Sequence, residues 1–409
     1  MPKKLNILLS AYACEPNRGS EPGVGWNWAI EIAKRGHHVV VLTRKNNQPV
    51  IEKATYDKQN IQFVYYDLPQ FILRFKKYLG VNLYYSLWQF FVAFKAKKVD
   101  DKINFDCVHH ITFGVFRQIS FIPFLIKKKF IFGPVGGGEY TPSKLKDVYQ
   151  SKYKIREFLR LIANKIALYS PLYRLFIKRV TFFVAKTPET AQFLPSKYKN
   201  KLLISLEIGV QPEVFNDEIL ATRHPKTILF VGRFIYLKGI KLVLETFLRL
   251  NKDNSEYELV LIGKGEELGM IKTFMNNNSL SNYKIINWLP QHELSAYYAK
   301  SSLMLFPSHH DSSGNVVLEA LSFGLPVISL DVGGPAQVIG EMNTIVKHNN
   351  DNTQELADRL AIKINEIMSN PQLYSELCQT SILRAKELTW EKSVNKIYSI
   401  IEKNNNNFA

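Results

Sequence analysis

The sequence predicts an α/β protein of two doubly wound, Rossmann-like domains facing a central cleft. Three observations carry that expectation. The chain has 409 residues, more than one ordinary core organises. Short β-branched or apolar runs alternate with helical stretches, the order that builds a parallel sheet with helices on its faces. This alternation also starts twice, at Leu5 and again near Thr227, on either side of a Gly- and Pro-bearing connector over 205–215 that suits a hinge. The expected division is 1–205 and 206–409, with the last helix, about 390–402, packing back on the first domain.

The elements follow in order. Leu5–Ser10 is a strand. Pro22–Arg35 is a helix, because proline suits a first turn and Gly36 stops the last one. His38–Thr43, Gln62–Tyr66, Cys107–His110 and Phe130–Phe132 read as further strands. In the second series Thr227–Val231 is a strand, Ile240–Leu250 a helix and Glu258–Ile262 a strand. Lys284–Asn287, Leu303–Phe306, Val316–Phe323 and Pro326–Leu330 continue as strand, strand, helix and strand. The asparagine-rich tail from Lys403 to Ala409 offers little to pack.

Composition narrows the class. Cys14, Cys107 and Cys378 are widely spaced, which argues against a disulfide frame or a zinc site. The N-terminal apolar run reads as a first strand and is too short for a secretory signal. The longest apolar stretch, Leu83 to Phe94, falls short of the roughly 20 residues a membrane span requires. A cytoplasmic protein is expected. Residues 1–185 hold 30 Lys+Arg against 12 Asp+Glu, an excess of 18, so this part carries the whole net charge of +17. Such asymmetry fits an anionic partner (a membrane surface, an acidic lipid-linked acceptor or nucleic acid) or simply a solvated lysine-rich surface. Arg74, Lys76, Lys77, Lys95, Lys97 and Lys98 flank the aromatic stretch Tyr84 to Phe94. That pattern suits a peripheral position on the inner face of an anionic membrane, or else a core helix with a wet basic edge.

Several segments carry chemistry. In Pro307-Ser-His-His-Asp-Ser-Ser-Gly-Asn-Val-Val-Leu-Glu-Ala-Leu-Ser-Phe-Gly-Leu-Pro326 a strand gives way to a polar loop and then a helix. Gly314 and its neighbours offer backbone N–H groups at the helix start, a site for phosphate or sugar oxygens. Asp311 and Glu319 supply two acceptor carboxylates, suited to hydroxyls that donate hydrogen bonds. In Val231-Gly-Arg-Phe-Ile-Tyr-Leu-Lys-Gly-Ile240, Arg233 and Lys238 pair a planar fork with a point charge, a combination that suits a diphosphate. Gly263 and Gly265 flank Lys264 after a strand. Gly19-Ser-Glu-Pro-Gly-Val-Gly25 joins the first strand to the first helix with small residues that let backbone approach a phosphate or an acceptor, yet it is neither a Walker loop nor a dinucleotide fingerprint. His109 and His110 close a strand; their titration near neutrality suits a proton shuttle, and a backbone-bonded structural role suits them equally.

Taken together, these segments resemble the family-four retaining glycosyltransferases. The signature there is two acids separated by seven residues, followed by Ala-Leu, Gly-x-Pro and Gly-Gly, here Asp311, Glu319, Ala320-Leu321, Gly324-Leu-Pro326 and Gly333-Gly334. The chain departs from it in having Asp311 where many members have Glu, Ser312-Ser313-Gly314 for Gly-Phe-Gly, and Pro335-Ala336 where an acid is common. Ala13-Cys-Glu-Pro, Gly19 to Trp28 and Gly133-Pro-Val-Gly-Gly-Gly-Glu139 resemble a subgroup active in surface-polysaccharide assembly. The resemblance implies a GT-B fold with the donor nucleotide sugar, UDP- or GDP-linked, on the C-terminal domain. It places Arg233 and Lys238 on the pyrophosphate, Glu319 on the ribose diol and Gly263 beside base or ribose. Gly19, Ser20, Ser313, Gly314 and Asn315 complete the donor site, and Glu139 faces the acceptor. His109, His110 and Asp311 are the implied catalytic group. No protein-bound metal and no cofactor are expected; the nucleotide sugar is a substrate. The implied reaction retains anomeric configuration and delivers the sugar to a saccharide or lipid-linked saccharide. Rival readings are a nucleotide-sugar-binding protein without transferase activity and a basic nucleic-acid-binding protein.

Overall fold

A computed structural model of the chain describes residues 4–74, 76–211, 226–252 and 256–406. The chain forms two compact units. The first comprises Met1–Gly138, Ile162–Glu207 and Trp390–Ala409; the second comprises Glu139–Leu161 and Ile208–Thr389.

The first unit is a seven-stranded parallel sheet. Its strands are β1 (Asn6–Ser10), β2 (His38–Arg44), β3 (Ile61–Tyr66), β4 (Cys107–His110), β5 (Lys129–Val135), β6 (Phe182–Ala185) and β7 (Leu202–Ile204), in the order β3-β2-β1-β4-β5-β6-β7. The central strands are buried on both faces, beneath helices on either side. Order reverses beside β1, so the loops after β1 and β4 are neighbours at the carboxyl edge, where doubly wound sheets hold ligands.

The aromatic stretch Tyr84 to Phe94 lies on the helix Lys76–Ile103, whose backbone breaks at Gly80. Tyr84, Tyr85, Trp88 and Val92 are in the core of this unit, which makes the stretch chiefly structural. The helix Trp390–Asn406 also belongs here and continues past Lys403, where the sequence suggested an unpacked tail; residues 407–409 lie outside the described residues. Glu402 anchors the helix just before Lys403. Its carboxylate accepts from Arg35 Nη2 at 2.7 and 2.9 Å and from His37 Nε2 at 2.9 Å, since His37 Nδ1 already accepts the Leu5 amide. Glu402→Ala strands two donors in a largely buried network and is expected to lower stability by about 3 kcal/mol. Urea unfolding checks this, with Glu402→Gln as the milder control.

The second unit is a six-stranded parallel sheet of β8 (Thr227–Val231), β9 (Glu258–Ile262), β10 (Tyr283–Ile286), β11 (Leu303–Leu305), β12 (Val327–Leu330) and β13 (Ile345–Val346), in the order β10-β9-β8-β11-β12-β13. It has the same switch-point logic, with β8 and β11 side by side. The segment Glu139–Leu161 groups with this unit although it precedes the 205/206 cut in the chain. Side chains explain why: Tyr153 donates to Glu267 at 2.6 Å, Asp147 accepts from Thr353 at 2.7 Å, and Tyr153 stacks on Tyr236 at 4.1 Å. Residues 212–215 of the expected hinge lie outside the described residues.

Candidate functional site

The second unit brings two loops together at the carboxyl ends of β8 and β11. After β8 the backbone runs through Arg233, which is exposed, to a short 3-10 turn at Tyr236–Lys238 and then into the helix Ile240–Asn251. Neighbours hold this loop tightly. Phe234 N donates to Lys264 O at 2.9 Å, Glu267 N to Phe234 O at 2.9 Å, and His309 N and Ser308 Oγ to Leu237 O at 2.9 and 3.1 Å. Gly263 is required by this packing. Its φ is +154°, and a Cβ there would stand 1.8 Å from Gly232 O.

The loop after β11 places Asp311 against Lys238 in an ion pair whose side chains are 15% and 13% exposed. Asp311 Oδ1 also accepts the amides of Ser313 at 3.1 Å and Gly314 at 3.3 Å, so the carboxylate shapes the turn that starts the helix Asn315–Ser322. Gly314, at φ +78°, caps that helix. Burial alone would raise the Asp311 carboxyl. The Lys238 ammonium and the two amides overcome it and hold the group below the ordinary carboxylate range. Glu319 lies further along the helix and accepts from Tyr298 OH at 3.0 Å. Burial pushes its carboxyl up to about 7, only partly opposed by that hydrogen bond.

The arrangement is a cation-and-amide corner with two acids of different character, one held ionised and one poised near neutrality. A family model described as "Glycosyl transferases group 1" matches residues 213–384, which contain all of it. The match covers less than half of the chain, so it is the region 213–384 that is similar to the group 1 glycosyl transferases. The chain is 29% identical over 207 residues to a glycosyltransferase of Haemophilus influenzae, covering 50% of this chain and 56% of that protein. It is 28% identical over 176 residues to one of Methanocaldococcus jannaschii, covering 42% and 47%. The chain thus spans about half the length of these curated relatives. A probable sucrose-phosphate synthase of Thermosipho melanesiensis is matched more fully, 24% identical over 92% of this chain and 89% of that one. Among solved structures, sucrose-phosphate synthase of Thermosynechococcus elongatus superposes with a TM-score of 0.66 at 17% identity, covering 99% of this chain and 100% of the other. WaaG, a glycosyltransferase involved in lipopolysaccharide biosynthesis, gives 0.59 at 16% identity, covering 97% and 99%. HepE of Anabaena in complex with UDP gives 0.63 at 11% identity, covering 98% and 100%. These likenesses show a GT-B fold.

The remaining candidates fall as follows. Gly19 and Ser20 are exposed and open the helix Ser20–Lys34. Glu21, beside them, accepts the Phe113 amide at 2.7 Å and lies 3.6 Å from the buried Lys186 ammonium, which pairs with Glu207 at 2.7 Å. Glu139 is buried. His109 and His110 lie within β4 and are both buried. His109 Nε2 donates to Gly133 O at 2.7 Å, which leaves Nδ1 to accept from Tyr398 OH at 3.0 Å. Burial lowers His109 to about 4 and His110 to about 3, so both are neutral at physiological pH, and this geometry favours orientation over proton exchange. Among the described residues no group of three or more His, Cys, Asp or Glu side chains is placed to hold a metal ion.

Sequence reasoning missed the residues that support the loop after β8. Tyr149 OH bonds His309 Nδ1 at 2.7 Å across 160 residues of chain, and Tyr236 OH donates to Glu157 at 3.2 Å. Tyr298, the partner of Glu319, was also missed. No local pattern marks any of them. Glu319 gives a pH prediction. Its folded value, about 7, stands above its ordinary 4.5, so its contribution to stability is full below about 4.5 and is lost as pH rises through about 7. Urea unfolding of Glu319→Gln at several pH values is expected to show the variant gaining on the wild type between pH 5 and 8.

Proposed function

We propose that the chain is a retaining glycosyltransferase. It moves a sugar from a nucleoside-diphosphate sugar to a hydroxyl of a saccharide or lipid-linked saccharide, on the cytoplasmic side, in surface-polysaccharide or glycolipid assembly. The observation that carries this reading is the Lys238–Asp311 pair set beside the amides of Ser313 and Gly314. A diphosphate would draw Lys238 from the carboxylate and engage Arg233, and Asp311 would then accept from a sugar hydroxyl. The likeness to HepE with UDP and to WaaG supports a UDP-sugar donor and a glycan product.

The chemistry needs no protein nucleophile and no protein-bound metal or cofactor. The bond from the anomeric carbon to the diphosphate oxygen breaks as the acceptor oxygen bonds on the same face. The acceptor proton passes to the departing phosphate oxygen. The protein's part is to position the partners and stabilise the leaving charge through Arg233, Lys238 and the helix start. Glu319 holds the ribose diol as a carboxylate. The roles of Gly19, Ser20, Gly263, Asn315, His109, His110 and Glu139 in this scheme rest on the family resemblance.

Calorimetric titration with UDP, GDP and their sugars between pH 6 and 8 tests the reading. Binding should weaken by about tenfold per unit once the pH lies below the Glu319 value, and this step should vanish in Glu319→Gln. No heat with any of these ligands would sink the proposal. Product configuration, read by NMR of slowly hydrolysed donor sugar, tests retention.

A further inference from the structure

The helix Ser151–Tyr169 is turned inside out. Its fully buried side chains are Tyr153, Glu157 and Asn164, two of them polar. Each has partners: Glu157 accepts from Tyr236 and Thr141, and Asn164 donates to Gly137 O at 2.9 Å and accepts from Arg117 at 2.7 Å. The large apolar side chains point outward instead. Ile155, Phe158, Leu159, Ile162, Ile166 and Tyr169 are between 37% and 66% exposed. Their spacing of three and four residues sets all six along one stripe. Soluble surfaces seldom leave so continuous an apolar patch in water without a partner.

The charges beside the stripe identify that partner. At about 100° per residue, Lys154 and Lys165 fall along one edge and Lys152 and Arg156 along the other, and all four are exposed. The one acid of the helix, Glu157, is on the buried face. Two copies of this chain packed stripe to stripe would bring their cationic edges together, which like-charge repulsion opposes. An anionic bilayer satisfies both features, with the rings and branched chains entering the headgroup boundary while the amines remain at the phosphates. Among the described residues no helix is long and apolar enough to cross a membrane, so the helix would lie flat. Near its C-terminal end a cavity of about 410 Å³ is lined by Leu168, Tyr169, Arg174 and Lys197, among others. Two cations over an apolar wall suit one lipid phosphate and the top of its acyl chains.

We propose that Ser151–Tyr169 is a membrane-docking helix for an anionic lipid surface. This surface is independent of the transfer reaction. Co-sedimentation of the full chain with vesicles of phosphatidylcholine alone, or mixed with phosphatidylglycerol, tests it. The wild type is expected on the mixed vesicles only, with binding that weakens as salt rises. Phe158→Ser with Ile166→Ser should lower partitioning on the order of a hundredfold. Lys154→Glu with Lys165→Glu should remove the preference for anionic lipid. Circular dichroism and nucleotide titration should match the wild type in both variants, since the altered side chains are exposed. Absence of wild-type binding at low salt, or undiminished binding by both variants, overturns the proposal. So does a wild-type dimer that the serine variant converts to monomer, because the stripe would then belong to a second copy.

Discussion

Gly263→Ala is expected to destabilise the protein by at least about 3 kcal/mol and to abolish nucleotide binding with it. Two costs act together. The backbone at +154° is one that side-chain-bearing residues rarely adopt, and the added methyl would lie 1.8 Å from Gly232 O and 3.2 Å from the Phe234 ring. Relief requires the loop carrying Arg233 and Lys238 to move away from the loop after β9, breaking the bond from Phe234 N to Lys264 O. Gly269→Ala is the matched control. A Cβ at Gly269 meets nothing within 4 Å, and the residue lies inside the helix Leu268–Asn277, so the change should be neutral or stabilising by up to about 1 kcal/mol. Urea unfolding of the two variants, with UDP titration of whatever remains folded, makes the comparison. Equal midpoints would mean that the approach of the two loops is not the constraint described.

Lys238→Ala is expected to remove about 1.5–3 kcal/mol of nucleoside-diphosphate affinity, the usual worth of a charge-assisted hydrogen bond. Arg233→Ala should do the same, and calorimetry on both checks it. The two variants should differ in their response to acid. Arg233 is exposed, whereas Lys238 is a principal reason that the Asp311 carboxyl lies below its ordinary range. A depressed carboxyl contributes stability above its unfolded value and loses it as pH falls through the folded one. Without Lys238 that contribution shrinks, so Lys238→Ala should lose stability near neutrality that Arg233→Ala keeps. Adding Asp311→Asn to Lys238→Ala should restore part of it, because no unpaired buried charge then remains.

Much of the corner formed by the loops after β8 and β11 was legible because its parts are local. Arg233 and Lys238 lie in the loop after β8, Asp311 and Gly314 in the loop after β11, and Glu319 on the helix that follows; strand ends are where this topology puts ligands. Most strands were readable for the same kind of reason: β1, β2, β8 and β9 are apolar runs bounded by clear turns. The strands β6, β7 and β13, of four, three and two residues, were not read, although β4 and β11, of four and three, were. Contacts over long sequence separations were invisible, as with Tyr149 and His309 or Tyr298 and Glu319. The helix Ser151–Tyr169 marks a deeper limit. Hydrophobic periodicity would bury Ile155, Phe158, Ile162 and Ile166, whereas the structure buries Glu157 and Asn164 because hydrogen-bonding partners await them there.

The partnership of Lys238 with Asp311 also bears on turnover. A lysine that gives up a diphosphate usually faces an unfavourable moment as a bare, half-desolvated cation, which slows product departure. Under the proposed function a carboxylate waits within reach, and the spent nucleotide would be displaced by an internal competitor. Grip on the leaving group during transfer and a quick exit afterwards can then coexist at one side chain.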